Sequence, residues 1–562
     1  MRARIPFALA AAVVAASFTL STVGAPSGSA MLAAGKAAAA PMPIYPGLGS
    51  VHHEVTTASP LAQKYFDQGL AFAYGFNHLE AERSFEQAAR IAPHMAMAYW
   101  GIALVLGPNY NLPQDQESGK QAFEAIKRAR SLEHGAAPQE RDLIDALGQR
   151  YGSDGKGSAA LDQAYATAMR AVAHRYPDDL DVQTLFAESL MDLHPWQLWS
   201  ADGKPGPDTI EIVTTLETVL KKNPLHVGAN HYYIHAVEAS SDPSRAIPSA
   251  DRLGALAPAA GHLVHMPAHI YIRTGRFHDS ARVNATAIKA DEAFFAKSKE
   301  GGVYPLVYYT HNIHFLCVSE MIEGRRRDAL RDARLLETKV PLNAVREMPM
   351  AEFLVPMPYL VETRFGQWDL ILTEPAPPRD LPFTTAMWHY ARGLAFSAKG
   401  RRSEAAQEES DVASITAVIP PDRPLGTSNR AKNVAEVAQE VLAGEIASAG
   451  GDRKAAIEKF TRAVRLEDAL IYEEPPMWYA PVRERLATEL LAAGRRQEAV
   501  TIYREDLRIN PGNPRSIYGL AQTLKSLGRV AEADTLDREF RRVWRYADSQ
   551  PTPLVIAIND NP

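Results

Sequence analysis

The chain has 562 residues, 46% of them hydrophobic, which is too long for one ordinary domain and ample for a large core. Its formal net charge of −6 supplies no basic footprint, so no nucleic-acid partner is expected. The single cysteine, Cys317, excludes an intramolecular disulfide, so packing must hold the molecule together.

At the N-terminus, Arg2 and Arg4 precede the apolar run IPFALAAAVVAASFTL and then a stretch of small residues. That order reads as a secretory signal peptide over residues 1–30 and predicts a periplasmic or secreted mature protein. Residues 31–59 read as a disordered or extended lead-in, with His52 and His53 in an exposed loop. No later segment is apolar for the length of a membrane-crossing helix, so the mature chain is expected to have no membrane span.

Residues 62–95, AQKYFDQGLAFAYGFNHLEAERSFEQAARIAPHM, set a helical-hairpin pattern with Gly69, Phe72, Ala81, Phe85, Ala88 and Pro93 at its key places. Small residues let two antiparallel helices close up, aromatics fill the remaining gaps, and proline ends the second helix. Weaker copies follow, through the early break GPNYNLP at 107–113 and on to DVQTLFAESLMDLHPW, which carries Glu188. Proline-rich breaks fall at 373–382 and 418–426. Beyond them the pattern returns with Gly444, Gly451, Ala456, Phe460 and Ala463, then Gly494, Ala499, Tyr503 and Pro511, then Ala521, Gly528 and Ala533. These stretches resemble the tetratricopeptide repeat (TPR) family. The fold expected is an all-α, TPR-like α-solenoid of roughly ten helical hairpins in two superhelical halves. Its parts are an N-terminal superhelix over 60–372, a Pro-rich linker over 373–385, C-terminal repeats over 386–545 and a tail over 546–562. Most such arrays are binding scaffolds, so a protein or peptide partner in the groove is expected.

Histidine placement sets this chain apart. Pro224 and Pro258, 34 residues apart, each close a second helix, so new repeats start near Val227 and Gly261. A third starts near Thr310, 49 residues on, and the 15 extra residues form an insertion at DEAFFAKSKEGGVYPLVYY. The three first helices begin VGANHYYIHAVE, GHLVHMPAHIYIR and THNIHFLCVSEM. Their second, fifth and ninth places hold His231, His235, His262, His265, His269, His311 and His314. Steps of three and four residues put these rings on one helical face. The TPR resemblance implies that this face lines the concave groove. Neutral imidazoles gathered there point to a transition metal ion, with copper, zinc and iron not distinguished.

Glu238 lies one turn beyond His235, and Glu188 holds the ninth place of the preceding repeat. Either carboxylate could orient a ring or serve as a general base, and Arg273 could clamp an anion, so these three are the catalytic candidates. Met348, Met350 and Met357 read either as copper(I) ligands or as core filler. The segment LIYEEPPMWYAPVRERL, with Glu473, Glu474, Trp478, Tyr479 and Arg483, reads as a proline-initiated helix start or a ligand-facing turn. No nucleotide loop, nucleophile elbow, HExxH helix or CxxC pair is present. The first reading is an exported TPR scaffold that binds a transition metal for metal-dependent binding or delivery. The alternatives are a hydrolytic or oxidative metalloenzyme at the same His/Glu centre, or a metal-free adaptor of the cell envelope.

Overall fold

The computed structural model describes residues 42–298 and 303–551; the expected signal peptide and most of the tail lie outside the described residues. The described residues from Ile44 onward form one compact unit. A two-residue antiparallel pair, Pro424–Leu425 with Asn429–Arg430, and two isolated bridges interrupt what is otherwise an all-α solenoid of helical hairpins. Among the described residues no helix is long and apolar enough to cross a membrane.

The first hairpin shows why these residues fold as they do. Ser59 accepts a hydrogen bond from the Ala62 N–H and Pro60 takes the first helical position, starting the helix Pro60–Tyr74. Asn77 caps the next helix, His78–Ile91, which stops just before Pro93. Phe85 then lies between two glycines. A Cβ placed on Gly69 would stand 2.6 Å from its ring, and one on Gly101, in the first helix of the next repeat, 2.4 Å. The same device recurs at Phe460 over Gly444 (2.6 Å) and Tyr503 over Gly519 (2.4 Å). Each aromatic can bury itself only because the facing helix has no side chain there.

The proline-rich stretches are packed corners. Trp388 donates its indole N–H to the Glu374 carbonyl (3.2 Å), and Tyr359, Ile371, Ala391 and Ala395 form a small core beside that turn. At the second break the Gly426 N–H bonds to the Met350 carbonyl (2.8 Å) and Arg423 pairs with Glu352 (2.7 Å). A buried two-pronged contact, Arg364 to Glu484 at 2.6 and 2.9 Å, ties the helix Met357–Arg364 to the C-terminal repeats.

The repeat starts near 227, 261 and 310 appear as the helices Val227–Val237, Gly261–His265 with Pro267–Arg273, and Thr310–Glu323. The middle helix is broken because Pro267 has no N–H to give the carbonyl four residues back. Part of the expected insertion lengthens the helix Phe277–Ser298, and another part forms a π turn at Pro305–Tyr309. That turn brings Tyr308 against His262, with ring centroids 4.7 Å apart.

Candidate metal centre

Six of the seven histidines converge in two groups. His231, His235 and His262 form one, His265, His269 and His311 the other, and within each group one ring nitrogen from each histidine lies within 4.8 Å of the others. His314 departs from the expected set: its Nε2 meets the Tyr479 hydroxyl at 3.0 Å and its ring packs on Phe353. His311 is half-buried; the other six are buried.

Hydrogen bonds fix the orientation of four rings. Nδ1 of His231 donates to the Tyr74 carbonyl (2.7 Å) and Nδ1 of His235 to Glu238 Oε1 (2.7 Å). Nδ1 of His265 donates to Asn284 Oδ1 (2.6 Å); the Asn284 amide is itself oriented by giving its N–H to the Ser280 carbonyl. Nδ1 of His269 donates to the other oxygen of Glu238. With Nδ1 spent as a donor, a ring in its neutral form presents its Nε2 lone pair to the interior. The Nε2 atoms of His265 and His269 stand 2.9 Å apart, those of His231 and His262 3.2 Å apart. His235 Nε2 and His262 Nδ1 are buried with no hydrogen-bond partner.

Electrostatics disfavour a proton on five of the six converging rings. Burial, reinforced by neighbouring imidazoles, pushes His231, His262, His265 and His311 well below the ordinary imidazole value. Burial also lowers His235 against the pull of Glu238 and takes His314 to about 3. Burial alone would raise Glu238, but His269 and His235 on its two oxygens outweigh it and hold the carboxyl down to about 2. Glu238 is therefore an anion shared by one ring of each group.

Aromatic side chains close over these rings. Phe76 meets His231, His262 and His235 at centroid distances of 4.6, 5.6 and 5.9 Å, while Tyr110 and Trp196 reach His235 at 5.1 and 6.0 Å. Phe76 and Trp196 hold left-handed backbone at φ 55° and 60°, a conformation costing a bulky residue about 1–3 kcal/mol. Two such residues against one histidine mark a position that the surrounding fold over-determines. Aromatics thus cover the first group of the histidine face expected along the concave groove, while His311 of the second group stays half-buried.

The carboxylate and arginine candidates take different places. Glu238 lies between the two groups. Glu188 joins neither; it is buried with Asp192 near Arg150, and burial raises it well above the usual carboxyl range. Arg273 donates from Nε to the Glu238 carbonyl (3.2 Å) and faces Glu474 at 3.8 Å. Burial pushes Glu474 up to about 7. His53 folds onto Asp181 (3.2 Å), which also accepts from the Tyr74 hydroxyl (2.5 Å), so the lead-in braces the residue whose carbonyl orients His231. Met350 gives its carbonyl to Gly426, and Met357 is buried in its own helix.

A family profile for the tetratricopeptide repeat matches residues 490–536. That stretch contains the helices Arg496–Ile509 and Pro514–Ser526, with the Tyr503 ring lying on Gly519. The chain therefore carries a tetratricopeptide repeat near its C-terminus. No curated protein sequence matches it. Among solved structures it is similar to the human IFIT1 dimer with m7Gppp-AAAA, at 11% identity over 87% of this chain and 91% of that one (TM-score 0.34). It is also similar to yeast Tom70, at 10% identity over 86% of this chain and 90% of that one (TM-score 0.29).

The TPR frame explains why the imidazoles meet, since the same places on successive first helices stack along the inner face. It does not reach the groups that complete the centre. The Tyr74 carbonyl is main chain and leaves no mark in the sequence. Asn284 lies on a second helix, outside the first-helix places that the frame singles out. The Glu473–Glu474 pair stands out in sequence, but nothing there connects Glu474 to Arg273.

Proposed function

We propose that this TPR protein is exported and holds a transition metal at the six converging imidazoles, as a scaffold for metal-dependent binding or delivery to a protein partner. One observation carries the reading: His265 and His269, each with Nδ1 already committed as a donor, face each other through Nε2 at 2.9 Å. Two neutral rings held this way oppose lone pair to lone pair, and a cation between them removes the repulsion. With metal–nitrogen bonds of about 2.0–2.1 Å, two nitrogens on one ion stand about 2.9–3.4 Å apart for right-angle to tetrahedral geometry. Both close pairs, at 2.9 and 3.2 Å, fit that window. The acceptors behind the rings are the kind that orient metal-ligating histidine: a carboxylate, a side-chain amide and a main-chain carbonyl. Export is supported by the charged, apolar and small-residue order of the first 30 residues.

Glu238 serves here as an orienting anion, since both its oxygens receive imidazole N–H groups. Arg273, facing Glu474, steadies the Glu238 main chain.

The test is metal analysis of the mature protein from its native compartment beside a variant with His231, His265 and His269 all changed to alanine. The expected result is a stoichiometric transition metal in the wild type that the variant lacks. Equal and negligible metal in both proteins would leave the imidazoles as architecture and the chain as an adaptor.

A further inference from the structure

We infer that a cavity beside the histidine row binds a small organic anion, a monocarboxylate with a short apolar tail, through Trp478 and Arg364. This does not rest on the metal reading above. The cavity lies where the helices Thr310–Glu323 and Met357–Arg364 meet the C-terminal repeats, and its wall includes Met321, Phe353, Phe383, Met387, Val434 and Met477. Residues 477–480, in the segment that reads from sequence as a helix start or a ligand-facing turn, line it together with Arg364, Tyr390 and Arg485. Tyr479 joins this wall to the histidine row, because its hydroxyl meets His314 Nε2 at 3.0 Å. Every lining residue is buried or half-buried, so the space suits a small molecule.

The unpaired polar atoms of this wall are of one kind. Trp478 Nε1 and Arg364 Nε are buried with no hydrogen-bond partner among the described residues, and both can only donate. No carboxylate is among the described residues that line the cavity. Glu484 holds the two Nη atoms of Arg364 from behind, at 2.6 and 2.9 Å, and Glu445 pairs with Arg485. The Thr363 hydroxyl is spent on the Leu360 carbonyl (2.8 Å). Buried donors without a partner cost free energy that an acceptor recovers, and an anionic acceptor makes the stronger bonds. A third guanidinium, Arg515, donates to the Arg364 carbonyl (3.1 Å). Burial takes Arg515 down to about 9 and lowers Arg485, and the Arg364 charge lowers both further. Crowded cations of this kind favour an anion over a neutral acceptor. The remaining wall is methionine, aromatic and aliphatic, so the rest of the ligand must be apolar; a polyanion would face it with unpaired oxygens.

The test is isothermal titration calorimetry of the full chain with butyrate, beside butyramide and n-butanol, which match its shape and lack its charge. One butyrate per chain is expected, held at least about 10-fold more tightly than either neutral probe. Acetate should bind more weakly than butyrate, because its methyl group covers less of the apolar wall. Trp478→Phe keeps an aromatic ring and deletes the N–H, and should weaken butyrate about 10-fold. Met387→Phe adds bulk to the wall and should block binding. Circular dichroism checks that each variant folds, and if neither does, the wild-type preference for butyrate over the neutral probes decides. Equal affinity for butyrate and butyramide would overturn the anionic class, and equal affinity for acetate would overturn the apolar tail. Unchanged butyrate binding in a folded Trp478→Phe chain would place the ligand elsewhere and overturn the site. Failure of every probe to bind would leave the cavity to water and overturn the inference outright.

Discussion

His265 and His269 point their Nε2 atoms at each other across 2.9 Å, while Asn284 and Glu238 hold their Nδ1 atoms from behind. Under the metal reading proposed above, a bound ion takes up both facing Nε2 lone pairs, and loading should stabilise the fold. An ion present at about 100 times its dissociation constant adds about 2.7 kcal/mol. Calorimetry of the chelator-stripped chain with and without restored metal checks this. The thermal midpoint should rise on loading and fall again on stripping, and an unchanged midpoint would count against an ion at these rings.

Among the described residues, Glu238 is the one carboxylate that touches both groups. Glu238→Gln keeps the shape but offers only one acceptor oxygen, so either His235 or His269 loses its orienting partner. Loss of such a partner typically weakens metal binding about 10- to 100-fold. Competition with a chelator of known affinity measures it. Unchanged affinity in a folded Glu238→Gln chain would show that the carboxylate does not position the ligands.

The TPR frame and the common face of the histidines are legible in the sequence because both depend on short-range spacing. Gly69 and Phe85, or His265 and His269, lie within one hairpin or one turn. Closure of the centre is not legible, because it depends on contacts between distant repeats. His231 finds its acceptor 157 positions away in the Tyr74 carbonyl, and His314 leaves the group for a hydroxyl 165 positions away, in Tyr479. The same is true of His53, whose loop position in sequence says nothing about Asp181, 128 positions away.

Packing of the first repeats makes a separate prediction. A methyl group on Gly101 would stand 2.4 Å from the Phe85 ring, so Gly101→Ala must displace that ring or the helix. Overpacking of this kind costs about 1–3 kcal/mol. Phe85→Leu alone leaves a gap, while the double variant lets the added methyl fill part of it. Urea denaturation of the two single variants and the double should give a double-variant loss smaller than the sum. Strict additivity would mean that the close approach does not constrain the pair.

Asp506 sets a pH dependence. It is fully buried and accepts from Ser516 Oγ (2.5 Å), Asn513 Nδ2 (2.7 Å) and Asn510 Nδ2 (2.9 Å). Burial, with Glu484 nearby, pushes its carboxyl up to about 6 despite those donors. In the unfolded chain the same group titrates near about 3.9. Between these values the folded state keeps a proton that the unfolded state releases, so the contribution is complete below about pH 4 and is lost as pH rises through about 6. The loss is of the order of 3 kcal/mol. Asp506→Asn carries no titrating proton. Denaturation of both proteins at about pH 4.5 and about pH 7.5 should show the wild type's advantage over the variant shrinking at the higher pH. An advantage that holds constant or grows would place the proton elsewhere.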